Sequence, residues 1–364
     1  MDASMNQTDL DRLASSIGPL DVASMAAARE RQGRLTKPPG SLGRLEELSI
    51  WLAGVRGEPL PQVRNKVIVT AAADHGVALQ GVSAYPREVT GQMVLNFLNG
   101  GAAVNVLAAC AGANVIVVDA GVDADLPDHP ALLRRSAGRG TGDLSTGLAM
   151  SRAQATSCVL AGAELAREQI ANGADVLAAG DMGIGNTTSA AAITAAVTGL
   201  PVSAVTGRGT GVTDERLAHK IAVIEQALAL HRPNPDDGIG LLSMVGGFEI
   251  AFLAGVLLGA AAGRRPAVLD GFISSAAGLV ACAIAPAAQD FLLASHCSAE
   301  LGHRVLLDHL GKRPLLDLSM RLGEGTGAAL AISILEAAAR CLSEMATFDS
   351  AGVSDSDDVL PSEA

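Results

Sequence analysis

Aromatic side chains are nearly absent: they make up 2% of the 364 residues, with one Trp and one Tyr. Such a chain has little with which to stack on unpaired bases. Positive charge is also scarce. Lys and Arg number 26 against 38 Asp and Glu, for a formal net charge of −12. Nucleic acid is therefore not expected as a partner, because that binding depends on cations that neutralise phosphates. The five cysteines (Cys110, Cys158, Cys282, Cys297 and Cys341) are odd in number, widely spaced and include no Cys-x-x-Cys pair. That pattern fits reduced thiols in a cytoplasmic protein. The opening MDASMNQTDLDRLASS has neither the basic start nor the apolar stretch of a secretory signal. The apolar run from Ile250 to Ala262 is shorter than the ~20 residues of a membrane span. It reads as a core helix, and no membrane partner is expected.

What the chain does have is small apolar residues. Nearly half of it is hydrophobic and 41 residues are glycine, which suits a core of many small contacts between closely spaced backbones. Residues 1 to about 30 read as one or two helices. Lys37-Pro38-Pro39-Gly40-Ser41 cannot continue a helix. A new one can start at Ser41 or Gly43, with Leu42, Leu45, Leu48 and Leu52 at helical spacing, and would pack as an arm on a neighbour. From Lys66 onward, short apolar strands alternate with helix-length segments. The strands are Val67 to Ala71, Val115 to Val118, Val176 to Ala179, PAVLDGF up to Asp270, and FLLASHCSAE up to Ser295 and His296. The helices run from Glu88 to Ala111, Ser151 to Asn172, Thr187 to Thr198, Phe248 to Ala262 and Ser274 to Ala283. This alternation predicts an α/β fold with a parallel sheet covered on both faces. Residues 349–364 are acidic and unpatterned, and are expected to be disordered.

Ligands bind beyond the carboxyl ends of such strands. Four of those ends share a signature: Asp74-His75-Gly76, Asp119-Ala120-Gly121, Gly180-Asp181-Met182-Gly183 and Asp270-Gly271. It marks either a site or ordinary strand-ending turns. GDMGIGNTTSAAAIT (180–194) and GRGTGV (207–212, followed by a helix reaching Lys220) are glycine-rich turns at helix starts, where amide N–H groups and the helix dipole favour a phosphate. Neither is a Walker A loop or a dinucleotide fingerprint. In Leu318–Leu335, LSMRLGEGTGAALAISIL, Glu324 stands between two glycines at the mouth of an apolar helix. A carboxylate there is either a cap or a catalyst. His75 is either functional or part of a turn. His296, His303 and His309 lie near Cys297, but their spacing matches no zinc pattern, and there is no Gly-x-Ser-x-Gly elbow.

TKPPGSLGRLEEL, AADHGV, GVSAYPREVT, GGAAVNVLA, GDMGIGNTT, GRGTGV, VGGFEIAFLAG, LDGFISSAAGL, SHCSAE and MRLGEGTGAALA run collinearly from Thr36 to Ala331. Together they resemble the nicotinate-nucleotide–dimethylbenzimidazole phosphoribosyltransferase family of cobalamin biosynthesis. The resemblance implies a Rossmann-like sheet with a smaller, mainly helical domain built from terminal segments, and a homodimer. It divides the chain into an N-terminal helical arm (1–60), an α/β core (61–310), and the Glu324 loop with the C-terminal helix (311–348). It implies transfer of phosphoribose from nicotinate mononucleotide to 5,6-dimethylbenzimidazole, with no cofactor and no metal. By the same resemblance Glu324 is the general base and Asp181, where relatives commonly carry Glu, is a second catalytic carboxylate. Gly183, Gly209 and Lys220 contact the phosphate. Tyr85, Gln92 and Leu315 line the benzimidazole pocket.

The chemistry fits those roles. Nicotinate leaves a pyridinium as a neutral heterocycle and needs no acid. The incoming benzimidazole must shed a ring proton, which an ionised carboxylate can take. An ionised Asp181 could stabilise positive charge developing at C1′. Two other readings of the fold are a nicotinamide-dependent oxidoreductase and a non-catalytic nucleotide or corrinoid-precursor binding protein.

Overall fold

The computed structural model describes residues 3–209, 211 and 213–354. Among these, six strands form one sheet: β1 (Lys66–Ala73), β2 (Ala113–Gly121), β3 (Leu132–Arg134), β4 (Val176–Met182), β5 (Ala267–Leu269) and β6 (Leu292–Ala294). Their order is β3-β2-β1-β4-β5-β6 and every pairing is parallel. The α/β expectation holds, and each of the five expected strands is present. β3 was not foreseen. It is a three-residue edge strand with Arg134 at its end, too short and too polar to stand out as an apolar run. β1 is buried along its whole length, which is why it reads as a continuous apolar stretch and not an alternating one.

The low aromatic content has a direct structural consequence. Helix Arg152–Ala171 crosses helix Phe248–Ala262 with backbone against backbone. A Cβ on Gly162 would lie 1.9 Å from the Phe252 carbonyl oxygen, and one on Gly255 would lie 1.9 Å from that of Val159. Only glycine permits this approach, and nearly the whole helix Phe248–Ala262 is buried as a result.

The single helix expected from Glu88 to Ala111 is two helices, Val89–Leu98 and Ala103–Ala111. The break falls at Asn99-Gly100-Gly101, where Gly100 adopts φ +74°. It gives the second helix its own N-terminus. By length and composition, residues 89–111 and 326–344 could cross a membrane. The first stretch is this interrupted one. The second carries the Arg340 pairs with Glu336 and Glu344.

The chain divides into two compact units, Met1–Gly18 with Asn65–Ile332 and Pro19–Arg64 with Ser333–Ala364. The boundaries differ from the expected segments in two places. The first helix, Ala3–Ser15, belongs to the sheet unit because it packs on Arg152–Ala171 and Phe248–Ala262. The Glu324 loop also belongs to the sheet unit, and the boundary falls inside helix Thr326–Glu344. In the second unit, helices Val22–Arg34 and Arg44–Arg56 pack together, with Ala28, Ala53 and Leu342 in their core. The turn between them is held by a buried Lys37–Glu46 pair at 2.7 Å, and the same Glu46 oxygen accepts from the Leu42 N–H at 3.0 Å. The expected disorder from residue 349 needs correction at its start. Phe348–Ala351 forms a helical turn capped by Thr347. Residues 355–364 lie outside the described residues.

Candidate active site

Strand order reverses between β1 and β4, so the crevice at their carboxyl ends is where a ligand is expected in this architecture. Pairing places Ala71 beside Asp181. The Glu324 loop lies directly on β4. A Cβ at Gly180 would sit 2.2 Å from the Glu324 carbonyl oxygen, so glycine at this strand position is what lets the loop approach. Thr70 Oγ1 donates to that carbonyl at 2.8 Å, and the Glu324 N–H donates to the Asp181 carbonyl at 3.2 Å. Glu324 is held at φ +65°, a left-handed conformation that costs a non-glycine residue about 1 kcal/mol or more. Its side chain is buried, and Oε2 accepts from the Val104 N–H at 3.4 Å. This N–H lies in the first turn of helix Ala103–Ala111, the N-terminus created by the break at Gly100-Gly101. Burial raises the Glu324 pKa, and the Val104 N–H opposes the rise.

The cap of the following helix is not Glu324. Helix Thr326–Glu344 is capped by Asp270, just beyond β5, which accepts from Gly325 N–H at 3.1 Å and Ala328 N–H at 2.9 Å. Asp270 is fully buried and its pKa is pushed up to about 7 by desolvation. The backbone N–H bonds oppose the shift and Glu324 adds to it. Asp181 shares this pocket. Oδ2 accepts from Asn186 Nδ2 at 2.9 Å, while Oδ1 has no partner. Burial, then Asp270, Glu249 and Glu324, raise its pKa well above the ordinary range, against the Asn186 bond.

Behind Gly183, His75 Nε2 lies 2.7 Å from Glu249 Oε1, and His75 Nδ1 lies 3.1 Å from Ser189 Oγ. The Ser189 hydroxyl donates to the Gly246 carbonyl at 3.1 Å. Its one proton is thereby used, so His75 Nδ1 must be the donor to Ser189. The His75–Glu249 contact then shares a single proton. His75 is therefore a buried partner of an acid, and its carbonyl also opens the turn Gly76–Gln80 by accepting from the Ala78 N–H at 3.1 Å.

On the other side of Asn186, Thr187 Oγ1 accepts from Lys220 Nζ at 2.7 Å. Lys220 is almost completely buried, and desolvation lowers its pKa to about 8, with Glu300 opposing. A Cβ on Gly209 would be 3.4 Å from Lys220 Nζ. Gly209 donates its N–H to Glu300 Oε2 at 3.4 Å, and its carbonyl accepts from Arg321 Nη1 at 3.0 Å. A buried lysine at the N-terminus of helix Asn186–Thr198 makes an anion pocket. Arg321, three residues before Glu324, joins the two pockets through one loop.

The structure brings Glu324, Asp181, Gly183, Gly209 and Lys220 into this one region. Gln92 lines a separate cleft of about 660 Å³ with Asp74, Arg87 and Asp123. Tyr85 is exposed in the turn before helix Val89–Leu98. Leu315 is bonded through its N–H to the end of β6, and Leu322 is the exposed leucine adjoining the Glu324 loop. His303 accepts from the Ser298 N–H at Nδ1, 2.8 Å away, and burial lowers its pKa to about 3. It is thus a neutral ring with its proton on Nε2, facing Ser275. Glu249, Glu300 and Arg321 were missed in the sequence. An acid inside the otherwise apolar run FEIAFLAGVLLGAAA was the available signal for Glu249.

A phosphoribosyltransferase family model matches residues 17–353. A nicotinate-nucleotide–dimethylbenzimidazole phosphoribosyltransferase from Roseiflexus sp. (strain RS-1) is 60% identical over 345 residues, which is 95% of this chain and 98% of that one. The Geobacter sulfurreducens enzyme of the same name is 53% identical, covering 96% of this chain and 99% of its own. The crystal structure of the Thermus thermophilus enzyme matches with a TM-score of 0.87 at 51% identity, over 92% of this chain and 100% of that one. With a buried carboxylate and an anion pocket at the switch point of a doubly wound sheet, and with likeness along nearly its whole length, the chain belongs to the nicotinate-nucleotide–dimethylbenzimidazole phosphoribosyltransferase family.

Proposed function

We propose that this protein transfers phosphoribose from nicotinate mononucleotide to 5,6-dimethylbenzimidazole, with Glu324 as general base. The products are nicotinate and α-ribazole 5′-phosphate, the precursor of the lower ligand of cobalamin. The observation that carries this reading is a buried glutamate in the left-handed conformation against the Gly180–Asp181 end of β4, together with a buried lysine at the N-terminus of the helix that follows β4. The lysine pocket anchors the phosphate. One benzimidazole nitrogen attacks C1′, the C1′–pyridinium bond breaks, and the bonding pair leaves on nicotinate. Glu324 takes the proton from the other benzimidazole nitrogen. Attack on the face opposite the leaving group gives the α-riboside, and much of the rate comes from holding two rings and a sugar in line.

Among the residues assigned to the benzimidazole, Gln92 lines a cleft that includes neither Glu324 nor Asp181. Leu322, beside Glu324, is better placed than Leu315 to cover a flat ring. The same reading carries a homodimer, which sedimentation equilibrium tests. It also carries a cytoplasmic location, supported by free cysteines, with neither nucleic acid nor a membrane as partner. The deciding experiment is incubation with both substrates in the absence of added metal. Nicotinate release is expected from folded wild-type protein, and its absence overturns the assignment. Glu324→Gln should bind benzimidazole and lose turnover, and an unchanged kcat removes Glu324 from the mechanism.

A further inference from the structure

Four buried acids meet at the carboxyl ends of β4 and β5, and three of them have a group suited to holding negative charge. Asp270 accepts two backbone N–H bonds at 3.1 and 2.9 Å. Glu324 faces the Val104 N–H at a helix N-terminus. Glu249 has one orphaned oxygen, but the other meets His75 at 2.7 Å. Asp181 has only the Asn186 amide on Oδ2, and its fully buried Oδ1 has no partner. The groups facing it are Asp270 from the end of β5, Glu324 from the loop, Glu249 from helix Phe248–Ala262 and Asn186 from the next helix. No cation is among them. Close like charges with unequal support cannot all ionise, and the proton goes to the least supported member.

We infer that Asp181 is the neutral member of this cluster, carrying its proton on Oδ1 and donating it as a hydrogen bond to a ribose oxygen of the phosphoribosyl donor. The inference rests on the phosphoribosyl-transfer reading and changes one expectation from the sequence. Asp181 is not an anion that stabilises positive charge at C1′. Its proton has a second consequence. A further negative charge here would raise the affinity of Glu324 for protons and disable the base. Keeping Asp181 neutral leaves Glu324 ionised and able to accept.

The test compares Asp181→Asn and Asp181→Ala with wild type. Asn places an N–H where the O–H stood and still offers an oxygen to Asn186. The expected cost in kcat is less than tenfold for Asn and more than a hundredfold for Ala. The acid limb of the kcat profile should stay in place in the Asn variant. A buried acid that prefers its neutral form burdens the fold increasingly as pH rises, because the folded chain then binds more protons than the unfolded one. The Tm of Asp181→Asn minus that of wild type should therefore climb steadily from pH 5 to pH 8. A hundredfold loss in the Asn variant, a shift of its acid limb to lower pH, or a pH-independent Tm difference each overturns the neutral assignment. If the variants do not fold, infrared spectra of wild type with labelled aspartate decide, since loss of every protonated-carboxyl band at pH 8 overturns it as well. Failure of wild type to turn over strikes the functional reading instead.

Discussion

Asn186 and Thr187 are adjacent in the chain, yet they serve pockets of opposite character. Asn186 donates to Asp181 in the acid cluster, and Thr187 accepts from Lys220 in the anion pocket. Both pockets are buried, and burial acts on each in the same physical sense by disfavouring charge. It pushes Asp270 up to about 7 and Lys220 down to about 8. The two pockets therefore come closer to neutrality before any ligand arrives, from opposite directions. A donor with an anionic phosphate and a cationic ring supplies each with the charge it lacks. The two halves are then separable: the acid half should govern turnover, and the cationic half should govern capture.

The comparison breaks most readily at Glu324. Removing a general base typically costs 10²–10⁴-fold in rate, so Glu324→Gln should lose that much kcat while the KM for nicotinate mononucleotide changes little. If KM rises and kcat holds, the two halves are not separable. The next largest effect belongs to Lys220→Met, which keeps the packing and deletes the charge. A hydrogen bond to a charged group is worth about 1.5–3 kcal/mol, so the donor KM should rise by roughly 10- to 150-fold. Steady-state kinetics with the donor varied separate this outcome from a loss in kcat.

A smaller effect sharpens the acid half from within. Burial pushes both Asp270 and Asp181 up, but Asp270, with its backbone N–H bonds, only to about 7. The folded state holds more protons than the unfolded chain between about pH 4 and that value, so stability falls as pH rises across the window and levels off above it. Asp270→Asn cannot titrate. Its unfolding free energy, measured by urea denaturation at a series of pH values, should gain on wild type between about pH 4 and about 7 and then run parallel to it. A difference that stays flat across the whole window would show that Asp270 does not titrate there and leave the effect to Asp181.

Much of this arrangement was legible in the sequence, and the parts that were not share one cause. Parallel strands buried on both faces appear as plain apolar runs, and the acids that end them are local features. So Asp74, Asp181 and Asp270 could be placed at one sheet edge from spacing alone. Partnerships could not. His75 and Glu249 are 174 residues apart, and only the fold brings them together. Asp270 reaches across 55 residues to cap a helix that seemed able to cap itself with Glu324. The break at Gly100-Gly101 was visible as a glycine pair, but its role, giving Glu324 a helix N-terminus to face, depends on a loop more than two hundred residues further along. Resemblance supplied the roles of whole motifs. It did not say which of several clustered acids bears a proton, because that depends on which oxygen lacks a donor.

The smallest predicted effect is a pH dependence confined to the cationic half. Free Lys220 loses its proton through about 8, so above that pH the resting pocket loses the charge that attracts phosphate, and the donor KM should rise. Once the phosphate is bound, its negative charge favours the protonated amine and moves the titration upward. kcat, which reports the bound complex, should therefore stay level across the same range. Profiles of kcat and kcat/KM measured from pH 6 to about 9.5, which brackets the value near 8, distinguish the two, with the basic limb expected in kcat/KM alone. A limb of equal size in both would mean that the lysine proton is needed during the chemical step, and the division between capture and turnover would fail at the residue that defines it.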